Sequence, residues 1–259
     1  IFQPEIASSQ EFVTLLGSLN PDLIIVVAYG EIVRQNVLDL PRLDCINLHA
    51  SLLPAYRGAA PMQRALIDGS SETGVTIMHM VKKLDAGAII KQRSIPLPLT
   101  MTLEELKDRV IEEGGALLLE VIQNFDLGIV ESIPQDESKV TFAPKVDPLE
   151  CRLDFNQPVL KLHNLVRGIS PKPGAFFIAK IRGIETMIKV YRSYPIPGLI
   201  KEPGLLQLLE KKKVGISCHD GILELLDVQS SGRKRMGINE WISGLPSSGI
   251  DILKFENNR

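Results

Sequence analysis

The run Cys45-Ile46-Asn47-Leu48-His49-Ala50-Ser51-Leu52-Leu53-Pro54-Ala55-Tyr56-Arg57-Gly58 reads as a short buried strand that breaks into a polar loop. Asn47 and His49 are two apart, so on a strand both side chains leave from one face. An amide that donates beside an imidazole that takes or gives a proton suits reaction at a carbonyl. One group holds a developing oxyanion while the other handles protons. Alone, such a pair is more often a satisfied strand end than a catalytic one, so the rest of the chain has to decide.

A second piece, Lys83-Leu84-Asp85-Ala86-Gly87-Ala88, follows the apolar strand Gly74-Val75-Thr76-Ile77-Met78-His79-Met80-Val81. Asp85 lies on a turn closed by Gly87, where its carboxylate could face the end of the Asn47/His49 strand. An aspartate beside a histidine favours the imidazolium and fixes its tautomer. Asn, His and Asp together suit attack by an amine on a formyl or similar carbonyl.

Outward from this centre, helix and strand patterns alternate. Ser8 or Ser9 caps a helix that runs to about residue 19, with Glu11 placed for a capping box. Residues 23–28 form an Ile/Val-rich run, as in a strand covered on both faces. A helix is expected over 31–39 and another over 60–67, started by Pro61 and ended by Asp68-Gly69. After a strand at 88–95, Thr102 and Glu105 start a long helix with apolar residues at helical spacing, and Gly114-Gly115 marks close packing or a kink within it. This alternation signals βαβ winding and an open, mostly parallel sheet, in which ligands bind beyond the carboxyl ends of strands. Tyr29-Gly30 and His49-Ala50 sit at two such ends.

Residues 126–150 lose regular pattern and are punctuated by proline, as in a linker. A helix over 157–168, capped by Asn156, leads into short strand-like runs at 174–181, 185–191, 204–210, 215–218 and 221–228, as in a small barrel. A short helix over 237–242 follows. The expected organisation is a first domain over 1–130, a linker over 131–150 and a second domain over 151–259.

The net charge of −2 hides an asymmetry: residues 1–147 hold 12 Lys/Arg and 20 Asp/Glu, whereas residues 148–259 hold 17 and 11. A basic second half suggests that it meets a polyanion. Lys180, Arg182, Lys211, Lys212, Lys213, Arg233, Lys234 and Arg235 are its candidate phosphate contacts. Arg57 either meets a phosphate or pairs with an acid. The three cysteines are too dispersed for a disulfide framework, which suits a reducing cytoplasm, and Cys45 reads as a small buried hydrophobe. The four histidines show no metal spacing, and no bound metal is expected. No apolar run reaches the length of a membrane span.

The joined segment Asn47-Leu48-His49-Ala50-Ser51-Leu52-Leu53-Pro54-Ala55-Tyr56-Arg57-Gly58-Ala59-Ala60-Pro61-Met62-Gln63-Arg64 resembles the active-site loop of the folate-dependent formyltransferases. Val26-Val27-Ala28-Tyr29-Gly30, Glu72-Thr73-Gly74-Val75-Thr76-Ile77-Met78 and Leu84-Asp85-Ala86-Gly87 are similar to further pieces of that family, in the same order. The Arg57-Gly58-Ala59-Ala60-Pro61 continuation favours the members that act on tRNA. The resemblance implies a Rossmann-like open sheet followed by a barrel like the oligonucleotide-binding fold. It implies transfer of a formyl group from 10-formyltetrahydrofolate, as co-substrate, to the amine of initiator methionyl-tRNA.

On this resemblance Asn47, His49 and Asp85 are catalytic. Ser51, Leu52, Leu53 and Pro54 contact the folate, with Tyr29 and Gly30 as further walls. The barrel contacts tRNA, and a cytoplasmic monomer is expected. The family's glycine-bearing first strand and its basic loop for the acceptor arm are not found in this sequence. That departure leads to the expectation of a catalytic domain without its start and of an exposed apolar sheet edge. Rival readings are a formyltransferase for an amino sugar nucleotide, a formyltetrahydrofolate hydrolase and an inactive RNA-binding relative.

Overall fold

A computed structural model of the 259-residue chain describes all residues except Arg182, Ile200, Lys201, 210–212, 245–249 and 253–259, and the side chains of 250–252. Two compact units separate: Ile1–Pro61, Glu72–Pro96 and Lys107–Lys145 form one, and Met62–Ser71, Leu97–Leu106 and Val146–Arg259 the other. The expected α/β sheet is in the first and the expected small antiparallel barrel in the second.

In the first unit, helix α1 (Gln10–Ser18) starts where the Ser9 hydroxyl accepts from the Phe12 N–H. Strand β1 (Leu23–Val27) lies parallel to β2 (Asp44–His49), with Val27 opposite Leu48. The two strands therefore release Tyr29-Gly30 and His49-Ala50 at the same end of the sheet. Between them stands only the four-residue helix α2 (Gln35–Leu38), shorter than the run expected over 31–39. Its first turn has no side-chain cap, and a helix so close to its nucleus gains little from extension.

Beyond helix α3 (Pro61–Ile67), strand β3 (Glu72–His79) runs antiparallel to β2, and β4 (Ile89–Pro96) antiparallel to β3. The described order is β1-β2-β3-β4. The sheet is thus mixed, with its parallel pairing at β1–β2, where a mostly parallel one was expected. β3 lies antiparallel to β2, with Asn47 opposite Met78 and His49 opposite Thr76, so the β2–β3 connection leaves and rejoins the sheet at the same end.

Helix α4 (Leu103–Leu127) carries Val110, Leu117 and Val121 as a buried stripe. A Cβ on Gly114 would stand 3.0 Å from Leu48 Cδ1, so this glycine serves close packing on β2. The helix runs through the glycine pair without interruption. The capping box is formed: Glu105 N–H donates to Thr102 Oγ1 at 3.4 Å, and Thr102 N–H to Glu105 Oε2 at 2.8 Å. β1 stands at one edge of the described sheet, with Ile25 and Val27 exposed.

The second unit is built on helix α5 (Val159–Ile169), whose Val159, Leu162, Val166 and Ile169 form one buried stripe. Asn156 does not cap it. Pro158 occupies the cap position, and the Val159 N–H donates to Asp220 Oδ1 at 2.7 Å. Asn156 instead turns back to Asp154, which accepts from its N–H and its side-chain amide. The strands are β5 (Ala175–Ile181), β6 (Ile184–Pro197), β7 (Leu206–Leu208), β8 (Val214–Cys218), β9 (Gly221–Ser230), β10 (Met236–Gly237) and β11 (Ile250–Ile252), with helix α6 (Ile238–Ser243) before the last. They pair antiparallel in the order β11-β5-β6-β9-β8-β7, with β10 beside β9, and the two ends of the path approach each other, curling the sheet towards a barrel. The side chains of Phe177, Ile188, Val190, Ile216, Leu223, Leu225 and Trp241 fill it.

Candidate active site

The site is formed by residues of the first unit. Asn47 and His49 emerge near the end of β2, as the alternation of a strand requires. His49 is 6% exposed. Its Nε2 lies 2.9 Å from the Tyr56 carbonyl oxygen, an acceptor only, so Nε2 carries the proton and Nδ1 presents its lone pair. Nδ1 stands 3.8 Å from Asp85 Oδ2, within ion-pair reach but beyond a hydrogen bond. The ring is therefore oriented by Tyr56, with the Asp85 carboxylate close to its other nitrogen. Asn47 makes no side-chain hydrogen bond to a described residue, so its amide remains able to donate to a ligand.

Asp85 is itself held. The Gly58 N–H donates to its Oδ2 at 2.8 Å, and its backbone has φ +48, a conformation costly for a residue with a side chain. The turn can close only with glycine at position 87, because a Cβ there would lie 1.7 Å from the His79 carbonyl oxygen.

The clamp on this turn is Gln135. Its Nε2 donates to the carbonyls of Asp85 and Gly87, each at 2.8 Å, while its Oε1 accepts from Arg57 Nε at 3.0 Å and Nη2 at 2.7 Å. One amide thereby ties the Asp85 turn to the loop after β2.

Arg57 is 1% exposed and reaches Glu137 Oε1 at 2.9 Å. Of its two readings, the structure realises pairing with an acid. Hydrogen bonds from Arg57, then from Lys83, hold the Glu137 carboxyl at about 2.

Residues 141–143 complete the strap. Arg57 N–H donates to the Thr141 carbonyl, Ala143 N–H to the Arg57 carbonyl and Ala60 N–H to the Ala143 carbonyl. Gly58, at φ +122, leaves no room for a Cβ, which would meet the Ala143 oxygen at 2.9 Å.

From below, the loop rests on β3 and β4. Thr76 Oγ1 donates to the Ser51 carbonyl at 2.6 Å and accepts from the Leu53 N–H at 3.1 Å. Gln92 Nε2 donates to the Leu53 carbonyl at 2.9 Å and to Thr76 Oγ1 at 2.8 Å. Ser51, Leu52, Leu53 and Pro54 thus have their shape fixed. The Ser51 hydroxyl is fully buried and donates to the Ala55 carbonyl at 2.6 Å, and Leu53 is buried too. Leu52 and Pro54 are half-buried, and Tyr29 and Gly30 are exposed at the end of β1. Thr76, Gln92, Gln135 and Glu137 were not singled out from the sequence. Their signal would have been a polar residue inside a strand or in a tail segment with no local partner.

The basic candidates are scattered over the second unit. Lys180 is exposed on β5, opposite Glu185. Lys213 pairs with the buried Glu224 at 2.9 Å. Arg235 pairs with Asp227 at 2.8 Å and stacks over Tyr191, 4.7 Å from the ring centroid. Arg233 and Lys234 are exposed on the turn between β9 and β10. Arg233 shares a cavity of about 500 Å³ with Ile181 and Ile184, which flank the β5–β6 turn. Arg182, Lys211 and Lys212 lie outside the described residues. Among the described residues no cluster of His, Cys, Asp and Glu is arranged to hold a metal ion, and no helix is long and apolar enough to cross a membrane.

An α/β sheet with an Asn-x-His strand end facing an acidic turn, followed by a small barrel, defines a class of one-carbon transferases. The family described as formyl transferase matches residues 2–122, and its C-terminal domain matches residues 145–246. The chain is 46% identical to the methionyl-tRNA formyltransferase of Protochlamydia amoebophila over 98% of its own length and 80% of the relative's. It is 39% identical to that of Macrococcus caseolyticus over 97% and 80%, and 34% identical to that of Chlamydia pneumoniae over 100% and 81%. The chain belongs to the methionyl-tRNA formyltransferase family. Formyl transferases of this family use formyltetrahydrofolate as donor.

Among solved structures, HypX from Aquifex aeolicus in complex with tetrahydrofolic acid superposes with a TM-score of 0.67 at 22% identity, over 95% of this chain and 44% of HypX. WlaRD, a sugar 3N-formyl transferase, gives 0.64 at 19%, over 85% and 77%. At those identities the likeness is one of fold.

Proposed function

We propose that the chain moves a formyl group from 10-formyltetrahydrofolate to the amine of initiator methionyl-tRNA, with Asn47, His49 and Asp85 as the reacting set. The observation that carries this assignment is the 3.8 Å approach of His49 Nδ1 to Asp85 Oδ2, beside an Asn47 amide with no described partner. The amine attacks the formyl carbon and a new C–N bond forms. Asn47 donates to the formyl oxygen as it gains negative charge; one such donor is typically worth about 3 kcal/mol. His49 takes the amine's proton at Nδ1, and Asp85 offsets the imidazolium's charge. As the donor's C–N bond breaks, the proton passes to the departing nitrogen.

Ser51, Leu52, Leu53, Pro54, Tyr29 and Gly30 are the proposed folate wall. Support comes from the way Thr76 and Gln92 fix the loop from beneath, so that little ordering is left for binding. Lys180, Arg182, Lys211, Lys212, Lys213, Arg233, Lys234 and Arg235 are proposed to meet tRNA phosphates, supported by the charge asymmetry. We read the protein as a cytoplasmic monomer. Three free, buried cysteines suit a reducing compartment, and the reacting set needs no second copy. The proposed division into catalytic domain, linker and barrel keeps the boundaries 1–130, 131–150 and 151–259.

The test is a formyl-transfer assay with 10-formyltetrahydrofolate and three acceptors: methionyl-tRNA, free methionine and an amino sugar nucleotide. Transfer to methionyl-tRNA alone is expected. Preference for the sugar nucleotide, or hydrolysis without transfer, overturns the reading.

A further inference from the structure

The second unit contains a buried guanidinium with no carboxylate beside it. Arg167, in the last turn of α5, is 3% exposed. Its Nε donates to Asn164 Oδ1 at 2.8 Å and its Nη1 to the Pro98 carbonyl at 3.2 Å. Both acceptors are neutral, and Nη2 has no hydrogen-bond partner among the described residues. Among the described residues Nη2 is not one of the fully sealed, unpartnered polar atoms, so it keeps some access to open space. Arg167 lines a cavity of about 80 Å³ together with Thr100, His163, Arg192, Ser193 and Tyr194.

Nothing described inside it neutralises Arg167. His163 has both ring nitrogens committed, Nε2 facing the Leu99 carbonyl at 2.8 Å and Nδ1 the Ser193 hydroxyl at 3.0 Å. Burial, with Arg167's charge, pushes its pKa down and keeps it neutral. Burial likewise lowers the pKa of Arg167, with no acid acting against it. The carbonyl end of α5 offsets part of the charge, about half a unit at most. An uncompensated buried cation is costly.

The wall across from α5 is irregular for a reason. The register of β6 on β9 shifts on both sides of Arg192, and Val190 and Tyr191 are both buried where strict alternation would send one outward. Such bulges re-aim side chains, often next to binding sites. This one brings Arg192, Ser193 and Tyr194 to the cavity. Arg192 is partly exposed and bound on one side by Glu105 at 2.5 Å, and Tyr194 is 42% exposed.

We propose that this cavity binds a phosphate-type oxyanion, with Arg167 Nη2 at its floor and Arg192, Thr100 and Tyr194 around its mouth. Its volume holds roughly two or three waters, the size of one small oxyanion. Charge-assisted bonds to a guanidinium are the strong kind, and planar donors match oxyanion geometry. The anion is either free phosphate or a phosphate of a bound nucleic acid.

Calorimetric titration of the full chain with inorganic phosphate, against chloride at matched ionic strength, tests this. Saturable one-to-one binding is expected. Arg167→Met should abolish it, and circular dichroism checks that this variant folds. Arg192→Gln and Tyr194→Phe, at partly exposed positions where folding is not at stake, should each weaken binding by about three- to tenfold. No saturable binding by the wild type, or unchanged affinity in both partly exposed variants, overturns the proposal. The source is separated by titrating tRNA in the presence of phosphate, an arm that rests on the function proposed above. If phosphate weakens tRNA binding beyond its ionic strength, the site takes a backbone phosphate. If phosphate binds the tRNA complex as well as the free protein, it takes the free anion.

Discussion

The loop after β2 and the basic turn between β9 and β10 share one sequence feature: each sets an arginine beside a glycine, Arg57-Gly58 and Gly232-Arg233. In the fold they are opposites. The first is clasped from both sides. Thr76 and Gln92 hold it from the sheet, Gln135 and residues 141–143 close over it, and its arginine is buried. The second stands free, with Arg233 and Lys234 exposed and Arg235 paired with Asp227 of β9. A site that must hold a transition state within a fraction of an ångström needs neighbours that leave its members no freedom. A surface that meets phosphates through screened charge needs only position and sign.

The two regions should therefore break differently. The largest effect is expected within the reacting set. Asn47→Ala, His49→Ala and Asp85→Ala should each lower the single-turnover rate at least about a hundredfold while circular dichroism stays native. Near-normal turnover in a folded Asp85→Ala would remove the acid from the set. Next comes the clasp. Gln135→Leu leaves the Asp85 and Gly87 carbonyls without this donor and the Arg57 guanidinium without its amide acceptor, Glu137 remaining. Denaturant melts should show a loss of about 2 kcal/mol, and kcat a fall of about tenfold with little change in the KM for folate. A variant that melts earlier but turns over normally would reduce Gln135 to a stabilising role.

Smaller effects belong to the barrel. Arg233→Gln and Lys234→Gln should each weaken tRNA binding a few-fold and reduce the slope of log affinity against log salt by about one. Lys213→Gln should do less, since Lys213 is already engaged by Glu224. A salt-independent affinity would take the basic turn out of the account.

The smallest effect is in acid. Glu137 is held at about 2 by Arg57 and Lys83, below its ordinary 4.5. A depressed folded-state pKa gives stability that is full above the unfolded value and is lost as pH falls through the folded one. The wild type should lose stability between about pH 4.5 and 2 more steeply than Glu137→Gln, as acid titrations followed by fluorescence will show.

What the sequence disclosed follows the same division. Strand-end residues such as Asn47 and His49 advertise themselves by period and by motif. The turn at Asp85 does so through Gly87, which tolerates no Cβ. The capping box at Thr102 and Glu105 is local and was legible. The clasp was not, because its bonds span far more chain than any motif: Gln135 reaches Arg57 across 78 residues and Thr141 reaches Tyr56 across 85. For the same reason Asp220, 61 residues away, took the capping place expected for Asn156. The mixed sheet was hidden because strand direction depends on the end at which a connection rejoins the sheet, which the local pattern of neither the four-residue α2 nor the seven-residue α3 reports.

The most direct measurement is a double-mutant cycle on single-turnover formyl transfer, comparing His49→Ala, Asp85→Ala and the pair. If one charged imidazole is the group that Asp85 serves, removing both should cost no more than a few-fold beyond the worse single variant. Losses that multiply would mean that the two residues act on separate steps, and the shared site would not stand.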